Sequence, residues 1–144
     1  MPLETIAIAS DHAGVELKSA LKEELAGLGL DTLDLGTQDA KSVDYPDMAD
    51  TLAAAIDGDN VSRGVLICGS GIGISMAANR HRHIRAAPCG DALSARLARR
   101  HNDANVLALG ARLIGIETAR DCLRVFLQTE FEGGRHQRRV SKMS

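Results

Sequence analysis

Residues 64–79 read Gly-Val-Leu-Ile-Cys-Gly-Ser-Gly-Ile-Gly-Ile-Ser-Met-Ala-Ala-Asn. Val65, Leu66, Ile67 and Cys68 form a short apolar run, and Gly69, Gly71 and Gly73 follow at alternate positions. A small-residue helical pattern starts at Ile74. This order predicts a buried strand, a glycine loop and the opening of a helix. Glycine lets the backbone turn with positive φ and lets a ligand approach the main chain. The loop N–H groups and a helix N-terminus together favour bound negative charge. Cys68 closes the strand and faces those donors, a setting that favours thiolate over thiol. A thiolate at this point serves as a base or as a nucleophile.

The same punctuation recurs on both sides. Residues 5–9 read as a strand, and Ser10-Asp11-His12-Ala13-Gly14 turns it into a helix carrying Leu17, Leu21, Leu25 and Leu28. Residues 31–35 alternate as a second strand. Residues 37–47 are polar, contain Tyr45-Pro46, and read as a loop before a helix over 48–56. After the Cys68 strand, the helix from Ile74 is expected to end at His81-Arg82-His83. Residues 84–88 read as strand four, and Asp91 caps a helix to about Arg100. Residues 105–109 read as strand five, and a last helix runs from 114 or 115 to 127. Residues 130–144 read as a charged tail. Strands alternating with helices predict an α/β fold, a five-stranded parallel sheet between two helical layers. Ligands in such sheets sit at the carboxyl ends of the strands, where the strand order switches.

At 144 residues the chain is expected to be one domain, over 1–144. With two Phe, one Tyr and no Trp, its core must be aliphatic. The net charge of −2 gives no electrostatic case for nucleic acid or a membrane surface. Three cysteines at unrelated spacings argue for reduced thiols. With no leader pattern and no long apolar run, the expectation is a cytoplasmic protein.

Each candidate site has a plainer counterpart. Cys68 on its own is a buried strand cysteine; the glycine loop beside it tips the reading toward function. Cys89 and Cys122 lack such a loop and are assigned to packing. The loop is not a dinucleotide fingerprint, because the third glycine position holds Met76, although Asp91 stands where a ribose-binding acid would. It is not a phosphatase loop, because Ile74 occupies the arginine position. Asp11 serves equally well as a helix cap. His81 and His83 have no third metal ligand at a recognisable spacing. His101-Asn102 reads locally as an exposed turn, at the wrong end of its strand unless it serves another subunit. Arg112, Arg135, Arg138 and Arg139 together could clamp a phosphate.

In order along the chain, Ser10-Asp11-His12-Ala13-Gly14, Gly36-Thr37, Asp44-Tyr45-Pro46, Cys68-Gly69-Ser70-Gly71-Ile72-Gly73, Ala77-Ala78-Asn79-Arg80, Ile84-Arg85-Ala86, Arg100-His101-Asn102-Asp103-Ala104-Asn105-Val106 and Glu132-Gly133-Gly134-Arg135-His136-Gln137-Arg138-Arg139-Val140 resemble the ribose-5-phosphate isomerase B family. That family includes galactose- and allose-6-phosphate isomerases. The resemblance implies a Rossmann-like fold, no cofactor and no metal, and a homodimer or homotetramer with active sites at the subunit interface. The tail from about 130 would contribute to the site or the dimer.

The resemblance also implies roles. Cys68 would move a proton between C1 and C2 of a sugar phosphate. Some relatives place a Glu in the loop, but that position here is Ile74. Ser70 and the amides of Gly69, Gly71, Ile72 and Gly73 would stabilise the enediolate. His101 would open the furanose ring with help from Asp11, and Asn102 would bind substrate. His12, Arg112, Arg135 and Arg139 would hold phosphate and hydroxyls, and Tyr45 would line the sugar pocket. The expected reaction is interconversion of ribose 5-phosphate and ribulose 5-phosphate. A hexose 6-phosphate isomerase and a nucleotide- or phosphate-binding module without chemistry are the alternatives.

Overall fold

A computed structural model describes residues 4–58 and 61–144. In chain order its elements are β1 (Thr5–Ser10), α1 (Val15–Gly27), β2 (Asp31–Asp34), α2 (Tyr45–Asp57), β3 (Arg63–Cys68), α3 (Ile72–Ala78), β4 (Ala86–Pro88), α4 (Ala92–Asn102), β5 (Val106–Gly110), α5 (Ile116–Gln128) and α6 (Arg135–Lys142). A single 3-10 turn, His12–Gly14, joins β1 to α1. The sheet is parallel throughout, in the order β2-β1-β3-β5-β4. This is the parallel α/β architecture anticipated from the alternating elements, and the Rossmann-like fold that the family resemblance implies. The chain leaves β1 toward β2 and returns on the other side at β3, so the order switches between β1 and β3.

Strand alternation divides the core in two. Ile6, Ile8, Val65, Ile67, Leu107 and Leu109 pack with Leu17, Leu21 and Leu25 of α1, Ala95 and Ala98 of α4, and Leu123 and Phe126 of α5. The opposite face carries Ala7, Ala9, Leu66, Cys68, Val106 and Ala108 against α2 and α3. Its side chains are smaller because those helices lie close. A methyl at Gly64 would come within 2.9 Å of Leu52.

Several boundaries differ from the sequence reading, each for a local reason. Helix α2 begins at Tyr45, because Pro46 lies in its first turn, where a missing N–H costs nothing. Helix α3 begins at Ile72, two residues early, because Gly71 supplies a left-handed N-cap. It ends at Ala78, not at His81-Arg82-His83. The Asn79 amide receives the Ala86 N–H at 2.8 Å and donates to the Ala86 carbonyl at 2.9 Å, which redirects the chain. Asn105 does the same one register back, with the Arg85 N–H at 2.7 Å and the His83 carbonyl at 2.8 Å. His81 pairs with Asp50 and His83 meets the Ala53 carbonyl, so both tie this segment to α2. His101 and Asn102 are the last turn of α4, which Asp103 stops at φ +46°. Asp91 is the N-cap of that helix, accepting the Ser94 N–H at 2.7 Å. The charged tail is no tail: it contains α6, which packs on α4 and buries His136 and Val140.

One buried ion cluster joins α1 to β2. Lys18, whose side chain is 3% exposed, donates to Asp34 at 2.6 Å, and Lys22 donates to its other oxygen at 2.9 Å. The Gly36 N–H adds a bond at 3.0 Å. Burial opposes charge on Asp34, but the bonds from Lys18, Lys22 and Gly36 prevail and hold its carboxyl at about 2. A depressed carboxyl stabilises the fold above its unfolded value and loses that stability as pH falls through the folded value. The contribution here, about 2 kcal/mol, is present at neutral pH and lost between pH ~4 and ~2. Asp34→Ala strands the Lys18 ammonium and is expected to cost about 3 kcal/mol at pH 7. Urea denaturation at neutral and acid pH checks this, and the gap from wild type should narrow at the acid end.

Candidate active site

The ends of β1, β3 and β5 meet at one edge of the sheet. The Asp11 N–H donates to the Ile67 carbonyl at 3.0 Å, which seats the turn after β1 beside the tip of β3. Cys68 lies opposite Gly110 in the sheet register. The chain after β5 folds back over the glycine loop: Ala111 N–H donates to the Cys68 carbonyl and Arg112 N–H to the Gly69 carbonyl, both at 2.9 Å. Two glycines make this crossing possible. A methyl at Gly71, whose φ is +78°, would fall 2.8 Å from the Leu109 carbonyl carbon. A methyl at Gly110 would fall 2.5 Å from the Ser70 carbonyl oxygen.

A cleft of about 570 Å³ opens above this crossing, lined by Asp11, Tyr45, Cys68, Gly69, Ser70, Ile72, Gly73, Arg112 and Leu113. Cys68 is 4% exposed, yet it belongs to the cleft wall. The Gly71 N–H donates to its Sγ at 3.1 Å. That bond gives the sulfur a backbone donor at the wall of the cleft. Helix α3 has only seven residues, so the amide matters more here than a helix dipole. Ser70 Oγ accepts the Ile72 N–H at 3.1 Å, leaving its own proton to donate. The Tyr45 ring lies over Gly73, where a methyl would come 2.7 Å from the phenol ring. The Arg112 side chain lies over Gly69, where an added methyl would stand 3.4 Å from its guanidinium.

Asp11 caps the 3-10 turn by accepting the Ala13 N–H at 2.9 Å, and it also lines the cleft. The cap and the cleft position are compatible, because a carboxylate has a second oxygen. His12 stands beside it and accepts the Val43 N–H on Nδ1 at 3.2 Å. Its proton is therefore on Nε2. Ile74, the position occupied by Glu in some relatives, lies on the buried face of α3, packed into the core, and is absent from the cleft lining.

His101, Asn102, Arg135 and Arg139 lie elsewhere. Helix α4 runs back along the sheet, so its last turn sits at the amino end of β5. The four steps from Val106 to Gly110 span ~13 Å, and Cys68 is at the far end. There His101 stacks on His136, ring centroids 4.4 Å apart and 15° from parallel. Arg135 and Arg139 extend from α6 beside this pair, both exposed. Burial, then the charges of His101 and Arg135, push the His136 imidazolium below its ordinary range. One chain thus carries two separate groups of sequence-predicted site residues.

Leu113 was not anticipated; its only sequence signal is its place three residues past the glycine that ends β5. Asn79 and Asn105, quoted within motifs, serve the backbone rather than the cleft. Cys89 and Cys122 are buried, as their packing assignment expects. Burial pushes the Cys89 thiol up to about 12 and the Cys122 thiol up to about 11.

Residues 6–143 match the family model described as ribose/galactose isomerase. The chain is 43% identical to ribose-5-phosphate isomerase B of Escherichia coli, over 99% of this chain and 95% of that one. It superposes on the crystal structure of a ribose 5-phosphate isomerase from Thermotoga maritima with a TM-score of 0.95 and 51% identity, covering 97% of each chain. Ribose-5-phosphate isomerase B of Mycoplasma genitalium, solved with bound ribulose-5-phosphate, gives 0.92 at 40% identity over 96% of this chain and 93% of that one.

The three thiols are expected to separate by reactivity. Iodoacetamide added to native protein should alkylate Cys68 first, with Cys89 and Cys122 protected until denaturant is added. Peptide mass spectrometry over a time course reads the order, and early labelling of Cys89 would contradict the assignment.

Proposed function

The chain belongs to the ribose/galactose isomerase family and is a sugar-phosphate isomerase, and from that premise we infer that it interconverts ribose 5-phosphate and ribulose 5-phosphate through the Cys68 cleft. The observation that carries this reading is a single wall on which Cys68 Sγ, loop amides and Arg112 stand together. Isomerisation needs a base beside the two carbons and donors for the oxyanion that develops between them. In the aldose-to-ketose direction the Cys68 thiolate takes the proton from C2. The electron pair moves into an enediolate, which the loop amides and the Ser70 hydroxyl stabilise. The hydroxyl proton passes from O2 to O1, and the thiol returns its proton to C1, which leaves a carbonyl at C2 and restores the thiolate. The thiolate is a stronger nucleophile and base than the neutral thiol that dominates in free cysteine at neutral pH.

His12 Nε2–H and Arg112 are proposed to receive hydroxyl and phosphate groups, with Tyr45 against the sugar. Binding the phosphate away from the reacting carbons orients C2 toward the sulfur. The open carboxylate oxygen of Asp11 is placed to assist ring opening.

The two groups of residues in one chain fit a site shared between two copies. In a twofold dimer the α4 and α6 end of one copy would supply His101, Asn102, Arg135 and Arg139 to the cleft of the other. Tyr45, Ile72, Met76 and Leu113, 40–66% exposed, ring the cleft and its helix, as a surface for a second copy would. His101 would protonate the ring oxygen, and the arginines would complete the phosphate clamp. The segment from about 130 then belongs to the site and the dimer alike. Three free cysteines fit a reducing, cytoplasmic setting.

Cys68→Ala is expected to abolish turnover of ribose 5-phosphate with an unchanged circular dichroism spectrum. His101→Asn should lose more activity on a furanose than on a substrate fixed in the open chain; equal losses would rule out a ring-opening role. Mixing Cys68→Ala with His101→Asn subunits, after dissociation and reassembly, should restore about a quarter of wild-type activity, because half the dimers are mixed and each has one intact site. No recovery would end the shared-site reading. Parallel assays with allose and galactose 6-phosphates test the choice of substrate.

A further inference from the structure

His101 and His136 stack at the junction of α4 and α6, and Glu132 lies against them. One ligand atom from each falls within 4.8 Å of the other two. His136 is 5% exposed, and its Nε2 has no hydrogen-bond partner among the described residues. The nearest carboxylate oxygen, from Glu132, is 3.6 Å away. A buried ring nitrogen left unpaired costs free energy unless something binds it. The backbone holds the three residues in place. Glu132 N–H donates to the Arg100 carbonyl at 3.1 Å, which sets it next to His101, and His136 N–H donates to the Gly133 carbonyl at 3.1 Å.

We propose that His101, Glu132 and His136 form a binding site for a late first-row divalent transition ion, Zn2+ in particular, and that the bound ion removes His101 from the isomerase site. Two imidazoles and one carboxylate are a donor set Zn2+ takes with a fourth position open. Donors each ~2.1 Å from one tetrahedral ion stand ~3.4 Å apart, so closure requires the His101 ring to turn out of its parallel stack on His136 and the Glu132 carboxylate to swing inward. Glu132 is exposed and His101 half-buried, which leaves both side chains room to turn. Arg135 and Arg139 flank the site and repel a dication. That selects for ions held by strong bonds to nitrogen, Zn2+, Co2+ or Ni2+, over Mg2+ or Ca2+. The loss of activity, unlike the binding, rests on the role of His101 proposed above. An imidazole whose nitrogen holds an ion cannot deliver a proton to a ring oxygen.

Titration of the full-length protein with Co2+, followed by its visible ligand-field absorption, tests the site directly. We expect one Co2+ per chain, displaced by Zn2+ and retained in Cys68→Ala. Binding should weaken about tenfold or more in Glu132→Gln and in His136→Asn. Absence of saturable binding, unchanged binding in Glu132→Gln, or loss of binding in Cys68→Ala would each overturn the proposal. Glu132 is a surface residue, so its variant stays informative if His136→Asn fails to fold. In the isomerase assay, Zn2+ should inhibit wild type reversibly on addition of chelator and inhibit Glu132→Gln far less. Equal inhibition of both would remove the regulatory half. No turnover of ribose 5-phosphate by wild type would defeat the isomerase reading while the Co2+ titration still decided the site.

Discussion

The structure turns on a steric constraint: the loop after β3 and the end of β5 cross with their backbones in contact. Gly71 and Gly110 each face main-chain atoms of the other segment, closer than any side chain permits. Because the crossing is so tight, the loop amides are drawn inward, and one of them reaches the Cys68 sulfur. The same crossing pairs the main chain of residues 111 and 112 with the tip of β3, which brings Arg112 over the loop. The proposed base, oxyanion donors and cation are thus held by backbone contacts and not by side-chain packing. The chemistry needs positions fixed to fractions of an ångström, and main-chain contacts supply that rigidity at no cost in side-chain freedom.

The sheet adds a second constraint. Its parallel order delivers the ends of β1, β3 and β5 to one edge and the last turn of α4 to the opposite edge. No local adjustment moves His101 across the length of a strand. A chain that uses both ends for one reaction must therefore meet itself. The dimer proposed here is argued from the topology and from an exposed apolar rim, whereas the ion site proposed on α4 and α6 draws on the residues of one chain.

Much of this was legible in the order of residues. The strand at 63–68 and its loop announced themselves through four apolar residues and three alternating glycines, because buried parallel strands and close backbone crossings leave such marks. The leucines of α1 marked their buried face by helical spacing. Other features carried no mark. Pro46 reads as a loop residue until a helix is seen to start beneath it. The segment 130–144 is too charged to look like packed structure, since only His136 and Val140 of α6 are buried and the rest of that helix is solvated. His101 was visible as chemistry, but its distance from Cys68 is a property of strand order, which local sequence does not encode. The stacking of His136 on His101 depends on how α6 docks, and neither residue's neighbours in sequence announce it.

The paired amides of Asn79 and Asn105 have an effect beyond redirecting the chain. Strand β4 is the last of the sheet and only three residues long, ending in proline. The Asn79 side chain occupies both the N–H and the carbonyl of Ala86, the groups that a sixth strand would otherwise seek. A side chain thus stands in for a neighbouring strand and closes that border. Exposed sheet margins recruit foreign chains and seed insoluble assemblies, and at Ala86 a single carboxamide takes up the groups that endless edgewise growth would need.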